Sequence, residues 1–531
     1  MSPRIDPSIT LGIVYLTYTV LIPRKEASTP SPKGTSLPCL IAKPAGVYRP
    51  RQPLESDFHR LVREHFETFR AVHAERYARK FGHWRPVYDK AVRHFLKCGD
   101  LQHGFARVRC PDCRHEFFVA FSCKQRCICP SCSQKRTLLF GMHVAKDVCF
   151  NVPHRQFVWT VPKRLRIFFR YHRDLLQQLP RLAWQSILQT YRALLGEDAT
   201  PGGVLAIQTF GSLMHFHPHI HGLVTDGAFT PDGRFHPIPV NLTHEPFRRI
   251  WEDGVFRLLL DAGRIDHTVV SQIRSWPHTG FSVDRSVRIP AGDRDGLERL
   301  AQYMARSPFS LTRLLRITRT AQVIYHAEKH RPHRFPDPAS GDLFGGVARN
   351  FQVFDPLDFL AELTQHIPNH GEHLVRYYGH YANKARGMRA KQADQNNNDR
   401  PQPDVGSTRT NPADRKRWAM LIQRVYQADP LLCPKCGGTM KIITFIEARH
   451  GQLVRQILEH CGLWQDPPPH LNLPARSPPP RPRRRSRVHR PRCPMPEADA
   501  GVSYEVDPEY LEHARREALD EQDQPDLPWD A

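Results

Sequence analysis

The chain has 531 residues, of which 40% are apolar and 24% are charged. This is enough for two or three domains with a sizeable core, and it excludes a disulfide-stapled miniprotein or a largely disordered chain. The formal net charge is +23. Residues 466–531 carry 10 Arg against 13 Asp and Glu, so the positive excess lies in the rest of the chain. Such a surface attracts polyanions, and nucleic acid is the first candidate.

Membrane insertion and disulfide bonding are both disfavoured. The longest apolar stretch, residues 9–22, has 14 residues, whereas a membrane span needs roughly 20. Seven of the 13 cysteines lie between Cys98 and Cys132. Clustered CxxC pairs in a large basic protein indicate zinc in a reducing compartment. We therefore expect a cytoplasmic protein.

Composition and periodicity predict an α+β protein with a helical, zinc-binding region ahead of its main domain. Residues 58–96 and 164–195 predict helices, and residues 157–161 and 204–210 predict strands. The predicted segments are a disordered leader (1–50), a helical plus zinc-binding domain (51–147), the main α+β domain (148–330), its continuation with a tyrosine cluster (331–389), a linker (390–415), a short cysteine module (416–464) and a disordered Pro- and Arg-rich, then acidic tail (466–531).

Two CxxC pairs have the spacing of a zinc ribbon. Cys110 and Cys113 are followed after 15 residues by Cys129 and Cys132. Two such turns complete a closed tetrahedral site, which is structural rather than catalytic. We expect these four cysteines to hold structural Zn²⁺. Four further candidates either form a second site or replace one of the four: Cys98, His103, Cys123 and Cys127.

Four histidines alternate in residues 215–221, where His215, His217, His219 and His221 would share one face of a strand. A solvated, histidine-rich edge is the simpler interpretation. The sharper one is a divalent-metal site, because neutral imidazole is the commonest metal ligand in proteins.

His219 and His221 are the predicted metal ligands. A third ligand is needed, and Gln208 on the preceding strand is our candidate, with His217 as the alternative. The ion would be Mg²⁺ or Mn²⁺, of which imidazole favours the softer. With open coordination positions it could polarise a phosphate oxygen.

Residues 293–308 predict a helix that carries Tyr303. Asp295 and Glu298 would form its N-terminal cap and Pro308 would end it. A tyrosine at the margin of an apolar face is usually core filling. Beside a metal-polarised phosphate, with Arg306 or Lys163 close by, it can instead be a covalent nucleophile. Three residues are predicted to face the core: Leu297, Leu300 and Met304.

Two motifs in the second half stay ambiguous. Residues 375–387 interleave Tyr377 and Tyr381 with basic residues, which suits base stacking or an aromatic packing helix. Cys433 and Cys436 form half a zinc knuckle. Either it closes with His460 or Cys461, or no metal binds there.

Together, these motifs resemble the transposases of the insertion-sequence 91 family and the related common-region elements, which are rolling-circle transposases of the His-hydrophobe-His (HUH) superfamily. The resemblance runs from about residue 58 to residue 446. The segments that carry it are 95–132 (zinc-binding domain), 161–166 (start of the nuclease domain), 217–227 (HUH strand), 302–308 (tyrosine helix), and 375–387 with 432–438 (C-terminal region).

The resemblance implies a small antiparallel sheet with helices on one side and the HUH motif on a central strand. It also implies that Tyr303 attacks single-stranded DNA at the element's end, giving a 5′-phosphotyrosine and a free 3′-OH before transfer to target DNA, without a nucleotide cofactor. Residues expected to contact phosphates are Lys163, Arg164, Arg166 and Arg306. In two-tyrosine members a second tyrosine stands four positions earlier. Here that residue is Arg299, which indicates the single-tyrosine branch. The resemblance also implies a bacterial enzyme that is associated with the nucleoid.

Two other functions compete with this one. A non-catalytic zinc-containing DNA-binding protein would share the basic charge and the cysteines, but it has no need of an HxH pair. A rolling-circle replication initiator or relaxase would share the HUH chemistry. The N-terminal cysteine block and the C-terminal tyrosine cluster favour a transposase over a replication initiator.

Overall fold

The computed structural model of the chain describes residues 53–211, 213–318, 322–327, 333–334, 348–395 and 431–464. The predicted leader and tail lie outside these residues, as does most of the predicted linker. Within them, no helix is long and apolar enough to cross a membrane.

Helices dominate the N-terminal region and alternate with strands afterwards, so the predicted helices over 58–96 and 164–195 are confirmed. The helices are α1 (Asp57–Val72), α2 (Ala78–Phe81), α3 (Pro86–Leu96), α4 (Pro130–His143), α5 (Arg166–Tyr171), α6 (Arg173–Leu176), α7 (Leu179–Leu195), α8 (Glu245–Asp261), α9 (His267–Arg274), α10 (Arg294–Met304), α11 (Pro356–Thr364), α12 (Asn383–Gln395) and α13 (Gly451–His460).

The strands of the described residues pair antiparallel throughout. They are β1 (Gly104–Arg109), β2 (Glu116–Ala120), β3 (His154–Thr160), β4 (Gly202–Phe210), β5 (Phe216–Thr225), β6 (Gly227–Phe229), β7 (Phe235–Pro237), β8 (Ser282–Asp284), β9 (Arg288–Ile289), β10 (Leu314–Ile317), β11 (Val323–His326), β12 (His333–Arg334), β13 (Ala348–Arg349), β14 (Phe351–Phe354), β15 (Val375–Gly379) and β16 (Lys441–Glu447).

The largest sheet has the strand order β15-β4-β5-β3-β8, with β9 also paired to β3. The predicted strands at 157–161 and 204–210 correspond to β3 and β4, and the histidine strand β5 lies between them. The α+β class is confirmed. Residues 219–224 of β5 therefore have a neighbour on both sides, at positions fixed by the register.

One face of this sheet is a large apolar core. Trp159, Leu205 and Ile220 project from three neighbouring strands and pack against residues of α7 and α8. The buried Trp159 indole N–H donates to Ser186 Oγ of α7 at 3.1 Å. The pattern of alternating apolar residues dictates this face, since period two places residues 205, 207 and 220 on the same side.

The opposite face carries a second, smaller core. Val204, Ala206 and Leu223 pack there against Leu297, Leu300 and Met304 of α10, so the predicted core residues of the tyrosine helix are confirmed. The family resemblance predicts helices on one side, and α7 and α8 fulfil this. The structure adds α10 on the other side, which is also the face of the alternating histidines.

The cysteine-rich region forms a separate three-stranded sheet with the order β16-β1-β2. Gly104 of β1 pairs with Glu447 of β16, although the two residues are far apart in sequence. The C-terminal segment 431–464 is therefore not a free-standing module. It completes the sheet that begins in the N-terminal region.

The tyrosine cluster is not a helix. Val375–Gly379 is the edge strand β15, which pairs with β4, and Tyr381 follows it. Tyr381 is fully buried. Its hydroxyl lies 2.7 Å from His154 Nε2 and accepts from the Phe150 backbone N–H at 3.1 Å. Burial raises the pKa of Tyr381, so this hydroxyl stays protonated and hydrogen-bonded in the core.

An ion-paired carboxylate anchors the end of the histidine strand. Asp226 is buried and accepts from Arg155 Nε at 2.8 Å and from Arg288 Nε at 2.7 Å. Burial alone would raise the pKa of Asp226, but the hydrogen bonds from these two arginines outweigh it and lower the pKa. The Asp of the Thr-Asp-Gly motif thus fixes β5 against β3 and β9.

Asp226→Asn should lower the free energy of unfolding by about 3 kcal/mol, because it leaves the buried Arg155 without its counter-charge. The carboxylate's pKa is depressed in the folded state, so its contribution is complete above the unfolded pKa of about 3.9 and fades as pH falls below it. Urea titrations of both proteins should therefore differ at pH 7 and converge in acid. The exposed Asp261→Asn is the control. Equal stability of wild type and Asp226→Asn at pH 7 would contradict this role.

Tyr381→Phe should cost about 1–3 kcal/mol of stability, since His154 and the Phe150 amide lose a buried partner. Tyr377→Phe is the matched control, because within the described residues the Tyr377 hydroxyl makes no hydrogen bond. Thermal unfolding of the two variants tests this. An unchanged midpoint for Tyr381→Phe would show that its hydroxyl is not held as described.

Candidate active site

Three of the four alternating histidines share the face of β5 that looks towards α10. His217, His219 and His221 follow the period of the strand, which begins at Phe216. His215 was predicted to join them, but it precedes the strand. Its ring is half exposed and its Nδ1 lies 3.6 Å from Glu362 Oε1. The backbone at Met214 is left-handed (φ 62°), and the strand begins only at Phe216. His215 therefore lies outside the alternating set.

His219 and His221 bring their ring nitrogens together. The two Nε2 atoms are 3.0 Å apart. Nδ1 of His219 lies 2.8 Å from the His217 carbonyl oxygen, to which it donates, so Nε2 carries the lone pair. Burial lowers the pKa of His219 to about 4 and that of His221 to about 2. Both rings are therefore neutral near pH 7, the form that ligates metals.

Gln208 connects this histidine pair with the tyrosine helix. It sits directly opposite His219 in the β4–β5 register. Its side-chain Nε2 donates to the carbonyl oxygens of Tyr303 at 2.9 Å and Met304 at 3.0 Å, the last residues of α10. Its Oε1 is buried and has no hydrogen-bond partner among the described residues. A buried, unpaired amide oxygen beside two convergent imidazoles fits an oxygen ligand to a divalent cation.

His217 stands slightly apart from the pair. Its ring centroid is 5.2 Å from that of His219, and burial lowers its pKa to about 3. Among the described residues, the groups of three or more His, Cys, Asp or Glu ligand atoms within 4.8 Å of one another are two cysteine clusters. His217 thus does not close a three-histidine site in this geometry. Its Nε2, like Gln208 Oε1, is buried without a hydrogen-bond partner among the described residues, so the third ligand is open between these two residues.

Gln156 on β3 was missed by the sequence argument. Its side-chain amide lies 3.3 Å from Nδ1 of His221 and holds that ring in place. The signal was available in principle, because Gln156 belongs to the strand beside β5. However, neither periodicity nor spacing reveals which polar residue of a neighbouring strand reaches a histidine.

Tyr303 lies in the last turn of α10 and 40% of it is exposed. Its ring is perpendicular to that of His221, with the centroids 5.3 Å apart. The Arg306 guanidinium lies 4.2 Å from the Tyr303 ring centroid. The structure thus brings together His219, His221, Gln208 and Tyr303, and leaves the tyrosine accessible.

The capping of α10 differs from the prediction. Asp293, rather than Asp295 with Glu298, is the N-cap, and its carboxylate accepts from the Gly296 amide at 2.7 Å. The helix ends at Met304, before Pro308. The reason is that the sequence offers two aspartates two residues apart, and only Asp293 precedes the first helical turn.

Positive charge surrounds the site. Arg306 and Arg166 both lower the pKa of His219, after burial as the main cause. Lys163 and Arg164 are exposed in the short turn that precedes α5. Arg166 is partly buried and donates from Nε to the Val161 carbonyl oxygen at 3.3 Å. Of these groups, Arg166 and Arg306 act on His219 and favour an anionic ligand next to the histidines.

The predicted four-cysteine zinc site is wrong in its pairing. Cys129 and Cys132 join Cys98 and Cys123, with Sγ–Sγ distances of 3.6 Å for Cys98–Cys129 and for Cys123–Cys132. Cys110 and Cys113 belong to the other cluster, with Cys433 and Cys436.

The physical reason is topological. The β1–β2 hairpin carries its CxxC turn towards β16, whereas the second CxxC begins α4 beside the end of α3. The leftover cysteines Cys98 and Cys123 therefore complete the second pair. His103 instead bonds Asp100, with Nδ1 and Oδ2 2.9 Å apart.

Known proteins match both regions. Residues 202–389 match a family model described as "Putative transposase", and residues 68–161 match one described as "Transposase zinc-binding domain". The first range contains Gln208, the histidine strand and Tyr303. The second contains the whole Cys98 cluster, which supports structural Zn²⁺ in this region.

Two curated transposases are similar to the chain. One is the transposase for insertion sequence element IS801 from Pseudomonas savastanoi pv. phaseolicola, 24% identical over 376 residues, which cover 68% of this chain and 84% of the relative. The other is "Putative transposase y4qJ" from Sinorhizobium fredii (strain NBRC 101917 / NGR234), 23% identical over 303 residues, which cover 53% of this chain and 71% of the relative. No solved structure matches the chain significantly. Both regions are matched in the order that the motifs indicated, so the predicted resemblance to the transposases of the insertion-sequence 91 family is confirmed.

Proposed function

We propose that this transposase cleaves single-stranded DNA at the ends of its element and transfers the strand to target DNA, with Tyr303 as the nucleophile. The observation that carries the proposal is the position of Tyr303. Its ring contacts His221, and the backbone of its helix is held by the side chain of the proposed ligand Gln208. The proposed nucleophile and the proposed ion site would thus share one sheet face and one helix end.

Mg²⁺ or Mn²⁺ would be held by His219, His221 and Gln208. These donors carry no negative charge, which suits a site whose remaining ligands are phosphate oxygens. When bound, the ion would polarise the scissile phosphate and offset charge that develops during displacement. The neutral rings and the unpaired Gln208 Oε1 are the features of this chain that support it.

The surrounding arginines and lysines would hold the DNA backbone. Arg306 stacks on the Tyr303 ring and is exposed, so it can contact the phosphate that Tyr303 attacks. Lys163 and Arg164 extend positive charge away from the site. Base-independent contacts of this kind position a strand and make binding strongly salt-dependent.

The proposed reaction exchanges one phosphodiester for another. The Tyr303 phenol oxygen attacks phosphorus, the bond from phosphorus to the 3′ oxygen breaks, the phenol proton is released and the departing 3′ oxygen gains a proton. The products are a 5′-phosphotyrosine and a free 3′-OH. Because the bond energy is retained in the covalent link, a later 3′-OH can reverse the step at a new site, and no nucleotide cofactor is required.

A single tyrosine would serve this reaction. Arg299 occupies the position one turn before Tyr303 on α10. Tyr377 lies on the strand β15 and Tyr381 is buried with its hydroxyl hydrogen-bonded. Neither shares the helix of Tyr303, so the proposal contains no alternation of two tyrosines on one helix.

Tyr303→Phe should abolish the covalent protein–DNA adduct on a labelled single-stranded oligonucleotide that carries the element's end, with Mn²⁺ present. The ring and its packing remain, so only the attacking oxygen is lost. Tyr377→Phe is the control and should form the adduct at the wild-type level. Denaturing gel electrophoresis separates adduct from free DNA. An adduct that persists in Tyr303→Phe would place the nucleophile elsewhere, and DNA binding without cleavage by the wild type would favour a non-catalytic DNA-binding protein.

Gln208→Leu should weaken Mn²⁺ binding about tenfold or more, whereas His217→Ala should leave it within about threefold, because only the amide oxygen is proposed as a ligand. Electron paramagnetic resonance of free Mn²⁺ measures both without DNA. His219→Ala/His221→Ala should remove the binding altogether. The reverse ranking of Gln208→Leu and His217→Ala would assign the third ligand to His217.

A further inference from the structure

A second cysteine cluster joins the two ends of the described chain. Cys110 and Cys113 follow β1, and Cys433 and Cys436 precede β16. The Sγ atoms of Cys110 and Cys436 are 3.5 Å apart, as are those of Cys113 and Cys433. Four thiolates at the corners of a tetrahedron with Zn–S bonds of about 2.3 Å would be roughly 3.8 Å apart. The separations found are close to that value and far longer than a disulfide bond of about 2.0 Å.

The two CxxC turns have the same backbone hydrogen bonds. The amide of Cys110 donates to the carbonyl of His115, and the amide of Cys433 donates to that of Gly438, both at 2.8 Å. The residue before His115 and the residue before Gly438 close each turn. The Arg114 amide donates to the Cys110 carbonyl at 3.1 Å, and the Gly437 amide donates to the Cys433 carbonyl at 2.9 Å. These are two matched knuckles, each of which aims two sulfurs at its partner.

The same two residues also share a backbone conformation. Arg114 and Gly437 both have a left-handed backbone, with φ of 60° and 74°. Glycine adopts this conformation at no steric cost, whereas an arginine is uncommon there. The two knuckles therefore share one turn conformation, which Arg114 adopts within the same hydrogen-bonded turn as Gly437.

The sheet places the knuckles side by side. Arg109 at the end of β1 pairs with Lys441 at the start of β16. Beneath the cysteines, Val108 and Met440 form a small buried cluster with Cys110 and Cys433. The register and this apolar floor fix the two turns without help from the Cys98 cluster.

We propose that Cys110, Cys113, Cys433 and Cys436 hold a second structural Zn²⁺, so that the zinc-binding region is a ribbon completed by the C-terminal segment. This site lies partly outside the matched zinc-binding domain, which ends at residue 161. It closes the covalent chain into a loop that contains the entire nuclease region. Since all four ligands are cysteines and no position stays open, the ion is structural.

Zinc content of the full-length protein tests the site directly. After dialysis against metal-free buffer, elemental analysis should find two zinc ions per wild-type chain, one for each cluster. The Cys433→Ser/Cys436→Ser variant should retain one zinc ion, and so should Cys110→Ser/Cys113→Ser. The variant that combines all four substitutions should also retain one, because the four cysteines hold the same ion. Cys461→Ser and Cys127→Ser are controls that should keep two. Full zinc content in Cys433→Ser/Cys436→Ser would overturn the proposal.

Cysteine alkylation tests the same site in the wild-type protein, so it does not depend on whether the variants fold. Cys436 is exposed, so burial cannot shield its thiol. Mass spectrometry should show Cys436 reacting with iodoacetamide about tenfold or more slowly before chelation than after it. Cys110, Cys113 and Cys433 should become reactive together with it. Equal rates with and without chelator would contradict metal ligation. Neither measurement depends on DNA cleavage.

Discussion

The candidate active site depends on the side chain of Gln208, whose amide nitrogen and amide oxygen have different roles. The Gln208 amide nitrogen donates to the carbonyl groups of the last two residues of the tyrosine helix. Its amide oxygen is buried and unpaired within the part of the chain that the structure describes. These two hydrogen bonds tie the end of α10 to β4, next to the contact of Tyr303 with His221. The β4–β5 register makes the arrangement possible, because it places Gln208 directly opposite His219.

Three other parts of the fold support this site: the apolar core, the ion pairs of Asp226 and the cysteine clusters. One sheet face is a continuous apolar core against α7 and α8, so the other face is free to carry polar groups. Asp226 with Arg155 and Arg288 holds the far end of the histidine strand. The Cys98 cluster belongs to the large core of the N-terminal helices, the Cys110 cluster lies on the small β16-β1-β2 sheet, and pairing of β16 with β1 brings the C-terminal segment into that sheet.

Local patterns predicted the parts of the structure that depend on local order. Period two identified the histidine face, and helical spacing identified Leu297, Leu300 and Met304 as core. The cysteine pairing was mispredicted because C-x15-C spacing is compatible with one site, and only the β1–β16 pairing, formed between distant segments, shows otherwise. The Tyr377 and Tyr381 segment suits a helix or a strand equally, and its pairing with β4 decides. Which residues the side chains of Gln208 and Gln156 reach depends on the strand register, and amino-acid composition does not encode that register.

The most direct test of the central claim is to identify the atom that becomes linked to DNA. The adduct formed by the wild-type protein would be digested with nuclease and trypsin, and the nucleotide-bearing peptide sequenced by tandem mass spectrometry. We expect the modification on Tyr303, within the tryptic peptide of residues 300–306. A nucleotide on Tyr377, Tyr381 or any other residue would contradict the account, because the link between Gln208, the histidine pair and α10 would then serve a tyrosine that does no chemistry.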